Sequence, residues 1–126
     1  MVDGQPFIEE VLEKFHLWMN DNGLFDPENT FVFVTCGDWD LKTMLPSQLR
    51  YFGMERQPYF NRWINIKKPF ANYTNEYPKG MMPMLHKLGL KHVGRHHSGI
   101  DDCTNIGKIL TTLLQNGVLF KTTGKL

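Results

Sequence analysis

Phe31-Val32-Phe33-Val34 is apolar at every position and built from β-branched and aromatic residues, so a strand over it has no face to give to water. Such a strand belongs inside a parallel sheet covered by helices on both sides. The rest of the chain supplies helices. Phe7, Val11, Leu12, Phe15, Trp18 and Met19 recur at helical spacing with Glu9, Glu10, Glu13 and Lys14 between them, which predicts a helix from about Pro6 to Asn22, stopped by Gly23. Asp40 to Phe52 repeats the pattern through Leu41, Met44, Leu45 and Leu49, with Pro46 either kinking it or opening a second short helix. Trp63-Ile64-Asn65-Ile66-Lys67 alternates as a half-buried strand does. Lys68 to Gly80, rich in aromatics, Asn and Pro, reads as a loop. Met82 to Leu88 reads as a short helix with Pro83 in its first turn and Gly89 as its stop. From Asp102 the apolar residues Ile106, Ile109, Leu110, Leu113 and Leu114 mark a long final helix to about Asn116, and Val118-Leu119-Phe120 a short strand or extended tail. This order predicts an α/β layered domain. Two clear strands and a weaker third are few for a parallel sheet, so the sequence reads as part of a domain.

Composition narrows the function classes. At 126 residues, 41% hydrophobic and 21% charged, the chain is long and apolar enough for one domain with a buried core. A net charge of +1 gives no bulk attraction to nucleic acid or to a membrane, so any such contact must come from local charge. Cys36 and Cys103 have no paired spacing, which predicts free thiols and a reducing, intracellular setting, cytoplasmic or nuclear. No basic segment leads into an apolar run at the N-terminus, and no window approaches a membrane span, so no membrane partner is expected.

The chemistry concentrates in two stretches. His96-His97-Ser98-Gly99-Ile100-Asp101-Asp102 sets a histidine doublet and an acidic doublet where the last helix begins. At about 100° per residue, Asp102 falls on the edge of the buried face, whereas Asp101 falls off it beside Asn105 and Lys108, where water or the helix N-terminus can satisfy it. A carboxylate facing inward is costly unless something cationic meets it, and a metal ion is the natural candidate. Acidic residues also suit any first helical turn, so this stretch alone decides nothing. Cys36-Gly37-Asp38-Trp39-Asp40 adds a second carboxylate just beyond the carboxyl end of the apolar strand, which is where open α/β sheets bind ligands. Carboxylates converging from different elements hold divalent ions that orient a phosphodiester, and a histidine can take the proton from attacking water. Spacing leaves the histidine register open, since His96 stands to Asp101 as His97 stands to Asp102.

Three segments together, Cys36-Gly37-Asp38-Trp39-Asp40-Leu41, Trp63-Ile64-Asn65-Ile66-Lys67 and Gly94-Arg95-His96-His97-Ser98-Gly99-Ile100-Asp101-Asp102-Cys103-Thr104-Asn105-Ile106, resemble the DEDDh 3′–5′ exonucleases. Within them the chain is similar to the branch that holds the histone-mRNA and RNA-interference exoribonucleases. The resemblance implies an RNase H-like α/β fold, truncated in its central sheet, and a 3′–5′ exoribonuclease that removes single nucleotides from RNA 3′ ends. It implies Asp40 and Asp102 as metal ligands, His97 as general base, and two Mg2+ or Mn2+ ions in a complete domain. The family's first motif, an Asp-x-Glu pair on the first strand, has no counterpart here. Asp26-Pro27-Glu28 has the spacing but precedes the apolar strand in a Pro-containing turn. Residues 1–126 accordingly resemble the C-terminal part of a single exonuclease domain, and a chain lacking that pair is expected to be poorly active alone.

Other residues keep two readings. Trp39 either stacks on a terminal base or packs in the core, and Lys42, with Lys67, Lys68 and Lys108, either tracks phosphates or is simply solvated. Met81, Met82 and Met84 read as packing, and His86 and His92 as surface residues. A strand short of neighbours predicts an exposed sheet edge open to a protein partner. The competing function is a non-catalytic RNA-binding or protein-interaction module on the same fold. A zinc site from Cys36, Cys103 and histidines lacks any recognised ligand spacing.

Overall fold

The structure is a computed structural model that describes residues 7–126. The chain divides into two units, the first ending at Phe31 and the second running from Val32 to Leu126. In the first, α1 (Ile8–Asp21) carries Glu9 and Glu10 in its first turn, buries Met19, and stops where Gly23 turns at a φ of +76°. His16 meets Phe25 with tilted rings at 4.8 Å, and Phe25 meets Phe31 at 6.0 Å.

The second unit holds a three-stranded sheet in the order β1 (Phe33–Thr35), β2 (Arg62–Asn65), β3 (Gly124–Lys125). β1 and β2 are parallel, in the register Val34 opposite Ile64, and β3 returns antiparallel on the far edge of β2. Parallel pairing demands a crossover, and two helical pieces supply it. A π-helical turn over Asp40–Met44 runs into α2 (Leu45–Tyr51), and Pro46 opens α2 rather than breaking it, because the first helical positions need no amide donor. After a 3-10 turn at Pro58–Asn61 and β2, the chain forms α3 (Lys67–Thr74), α4 (Met81–Lys87) and α5 (Gly99–Gln115). Ile66, Phe70, Met84, Leu85, Ile109 and Leu113 make the core between α3, α4 and α5, with Val34 and Cys36 packed against it.

Several expectations shift. The apolar strand lies two residues later at its start than Phe31, since Phe31 and Val32 make no ladder. β2 is not half-buried: Trp63, Ile64, Asn65 and Ile66 are all buried, because the strand is central and covered on both faces. The stretch from Lys68 to Gly80 is not all loop. Pro69 fits the first turn of α3, Phe70 anchors the helix in the core, and Asn75 ends it in the left-handed region at a φ of +62°. Val118-Leu119-Phe120 forms no strand, and the third strand comes at Gly124 instead. Met82 is exposed while Met81 and Met84 are buried.

Candidate active site

The carboxyl end of β1 is held by an asparagine. After Thr35 the chain turns at Gly37, whose φ of +101° suits a residue without a side chain. The Gly37 amide donates to Asn65 Oδ1 at 2.9 Å, the Lys67 amide donates to the same oxygen at 3.1 Å, and Thr35 Oγ1 donates to the Gly37 carbonyl at 2.6 Å. Asn65 is 2% exposed, so these bonds replace water it has lost and fix the ends of β1 and β2 against each other. The next carboxylate, Asp38, is taken up structurally: Trp63 Nε1 donates to its Oδ1 at 2.8 Å. Asp40 opens the π-helical turn and stays exposed beside the exposed Trp39. Wider turns of this kind recur where a helix must present a functional side chain.

The second carboxylate pair is divided just as sharply. Asn105, fully buried, accepts from the Val93 amide at 2.9 Å and donates through Nδ2 to the Val93 and Asp101 carbonyls at 2.8 Å. Asp101 Oδ2 accepts from the Arg95 amide at 2.9 Å. Gly94, at a φ of +74°, lies so close to the Asp101 carboxylate that a Cβ there would collide with it. The histidine loop itself thus gives Asp101 a partner, and Asn105 is in the core rather than on the wet side. Asp102 faces the other way. Its Oδ1 is buried and has no hydrogen-bond partner among the described residues.

Cys36 reports on the space between. Burial pushes its thiol above the ordinary 9.0, Lys67 opposes that shift, and the charges of Asp40 and Asp102 both add to it. Asp40, Asp102 and Lys67 thus all lie within electrostatic reach of one half-buried sulfur. His97 is not among these groups. It is exposed, sits in the left-handed region at a φ of +66°, and packs its ring against His96 at 3.9 Å. His92, expected at the surface, is half-buried with an unpartnered Nε2. Trp39 is 62% exposed, which removes the core-packing reading, and Lys42 is exposed one turn beyond. Lys108 donates from Nζ to the Lys91 carbonyl, so it is a loop clasp.

No group of three or more His, Cys, Asp or Glu stands ready to hold a metal among the described residues. What is present still suits a hard divalent cation: oxygen donors from two elements, one of them a buried oxygen with nothing else to bind. Sequence reasoning missed Asn65 and Asn105 as the two clamps. The signal was there, an amide at a position flanked by Trp63, Ile64 and Ile66, and another on the apolar face that also carries Ile109.

Carboxylates thus stand beyond the carboxyl end of a parallel strand and at the head of the last helix. Residues 1–110 match the exonuclease family of RNase T, and the chain belongs to that family. Over 126 residues it is 51% identical to human ERI1 exoribonuclease 3, covering 99% of this chain and 37% of that protein. It superposes on the nuclease domain of 3′hExo, a DEDDh family member bound to rAMP, with a TM-score of 0.91 at 30% identity, covering 99% of this chain and 63% of that one. A 3′-exonuclease solved in 3′-end specific recognition of histone mRNA stem-loop matches with a TM-score of 0.92 at 29% identity, over 99% of this chain and 56% of that one. The chain spans about 37% of the length of the curated relatives it matches first. DEDDh exonucleases depend on divalent cations, and the fold is the α/β one those structures define. No helix among the described residues is long and apolar enough to cross a membrane.

Proposed function

We propose that residues 1–126 form the C-terminal part of one 3′–5′ exonuclease domain that acts on RNA 3′ ends inside the cell, with Asp40 and Asp102 as metal ligands and His97 as general base. The observation that carries this reading is the buried, unpartnered Oδ1 of Asp102 in the same electrostatic neighbourhood as Asp40. Mg2+ or Mn2+, two ions in the complete site, would bind the scissile phosphate and lower the pKa of the attacking water. The Asp40 and Asp102 carboxylates would hold that charge in place. His97, exposed in the loop before α5, has room to accept a proton from water and release it. Exposed Trp39 offers a face for the terminal base, and Lys42 a charge for a phosphate. The relatives' exoribonuclease names and the rAMP bound to 3′hExo support RNA as the substrate class.

The test is trimming of a 5′-labelled single-stranded RNA in Mg2+ or Mn2+ by this chain joined to the Asp-x-Glu strand of a relative. Ladder formation one nucleotide at a time, lost in His97→Ala and in Asp102→Asn, supports the reading. Unchanged trimming in those variants overturns the site. Binding of RNA without trimming by the joined chain favours the non-catalytic module.

A further inference from the structure

One cleft of the second unit contains none of Asp40, His97 or Asp102. It has a volume of about 430 Å³ and lies between α3 and the extended segment after α5. Lys68, Asn72 and Tyr73 line it from the helix, and Asn116 and Lys121 from the other wall. No carboxylate lines it, and neither ammonium has an ion pair or a hydrogen bond among the described residues. Unpaired like charges facing one cavity repel, and they are relieved by an anion. Tyr73 is 45% exposed, so its ring presents a face to the same space. Among the described residues Asn72 makes no side-chain hydrogen bond, and Asn116 uses only Nδ2, on the Thr112 carbonyl at 2.8 Å, which leaves its Oδ1 to accept from a base.

We infer that this cleft is a second nucleic-acid site, taking a phosphate between Lys68 and Lys121 and a base on Tyr73, and that it holds the single-stranded RNA upstream of the 3′ end. The volume suits one nucleotide unit and is at the small end of ligand pockets. Position joins it to the candidate active site. Lys67, whose charge reaches Cys36 between Asp40 and Asp102, precedes Lys68 at the start of α3, and its amide is clamped by Asn65. The opposite wall is tied to the same strand residue, since the Asn65 amide donates to Thr123 Oγ1 at 2.7 Å. Both walls of the cleft are thus tied, through Lys67 and Thr123, to the asparagine that clamps the end of β1. With an overall charge of +1, RNA must find its electrostatic footing in local clusters of charge, and this cleft is one. This inference rests on the exoribonuclease reading for its ligand class and deepens it.

The test is fluorescence anisotropy of 5′-labelled decaadenylate on the 126-residue chain in EDTA, where no trimming occurs, at several salt concentrations. Lys68→Ala/Lys121→Ala is expected to weaken binding at least fivefold and to flatten the slope of log affinity against log salt by about 1.4, as for two lost contacts to a single strand. Lys14→Ala/Lys87→Ala removes the same charge elsewhere and is expected to change affinity less than twofold. Tyr73→Ala is expected to lose about tenfold and Tyr73→Phe to restore it, as stacking requires. The decadeoxy strand is expected to lose affinity in the same variants, because phosphate and base face are common to both. AMP affinity is expected to stay unchanged in the double variant. Equal loss in both lysine pairs, or a loss of AMP binding as large as that of the strand, overturns the inference. Because this readout needs no catalysis, a strand bound through the cleft with no trimming by the joined chain defeats the enzymatic reading alone.

Discussion

Asp101 and Asp102 are chemically identical neighbours with opposite environments, and that contrast defines what a substitution does. Asp101 accepts the Arg95 amide and holds the histidine loop, so Asp101→Asn is expected to cost about 1–2 kcal/mol in denaturant unfolding, the worth of a charge-assisted hydrogen bond. Asp102 has a buried oxygen with no partner, so Asp102→Asn is expected to leave stability without metal unchanged or higher, while Mn2+ affinity measured by calorimetry falls at least tenfold. A destabilised Asp102→Asn with intact Mn2+ binding would reverse the two roles. The helix-face argument from sequence already separated these residues. What it could not supply was the reason, because the Arg95 amide and the Val93 groups that Asn105 clamps belong to a loop whose path no periodicity encodes. Cys36 gives a second expectation at this scale. Burial and the two carboxylate charges hold its thiol above 9.0, and burial raises Tyr59 above 10.0, so the unfolded chain releases both protons more readily than the folded one. Stability is therefore full below about pH 9 and falls as pH rises through the raised values. Unfolding midpoints from pH 8 to 11 should drop, and Cys36→Ala should flatten the first part of that drop.

Elements transmit these placements, and the shortest strand matters most. β3 is two residues long, yet Gly124 lies against the Trp63 indole so closely that a Cβ would overlap the ring. Trp63 in turn donates to Asp38, two residues before Asp40. Gly124→Ala is expected to cost about 1–3 kcal/mol through overpacking and to slow trimming by the joined chain by shifting the Asp38 corner. Full activity in a destabilised Gly124→Ala would show that β3 supports the fold but not the site. None of this was legible beforehand, because Gly124 sits in a run of Thr, Gly and Lys with no apolar pattern. α3 was hidden for a different reason: Asn72, Asn75 and Pro69 read as loop residues, whereas burial of Phe70 outweighs their weak propensity. By contrast α1, α4, α5 and the opening of α2 at Pro46 follow the apolar spacing within three residues, although α1 buries only Met19 of its apolar stripe while α4 and α5 each bury a face.

At the scale of the whole molecule the open question is chemical completeness. β1 pairs only with β2 among the described residues, so its other edge offers unpaired backbone groups beside the half-buried Phe33 and Val34. A strand added there would end beside Asp40, at the same carboxyl edge. Two aspartates give a divalent ion at most a few oxygens of the six or more it takes, and two-metal chemistry needs ligands that set a pair of ions about 4 Å apart. The chain as given is therefore expected to trim RNA at least a hundredfold more slowly than the same chain joined to an Asp-x-Glu strand, in Mg2+ and in Mn2+ alike. The same addition should cover the β1 edge. Sedimentation of the unjoined chain should then show association that grows with concentration, and the joined chain should sediment as a monomer. Robust, metal-dependent and His97-sensitive trimming by the unjoined chain would mean that Asp40, Asp102 and their neighbours suffice. In that case the free edge is left for a protein partner, and the concentration dependence should persist after joining.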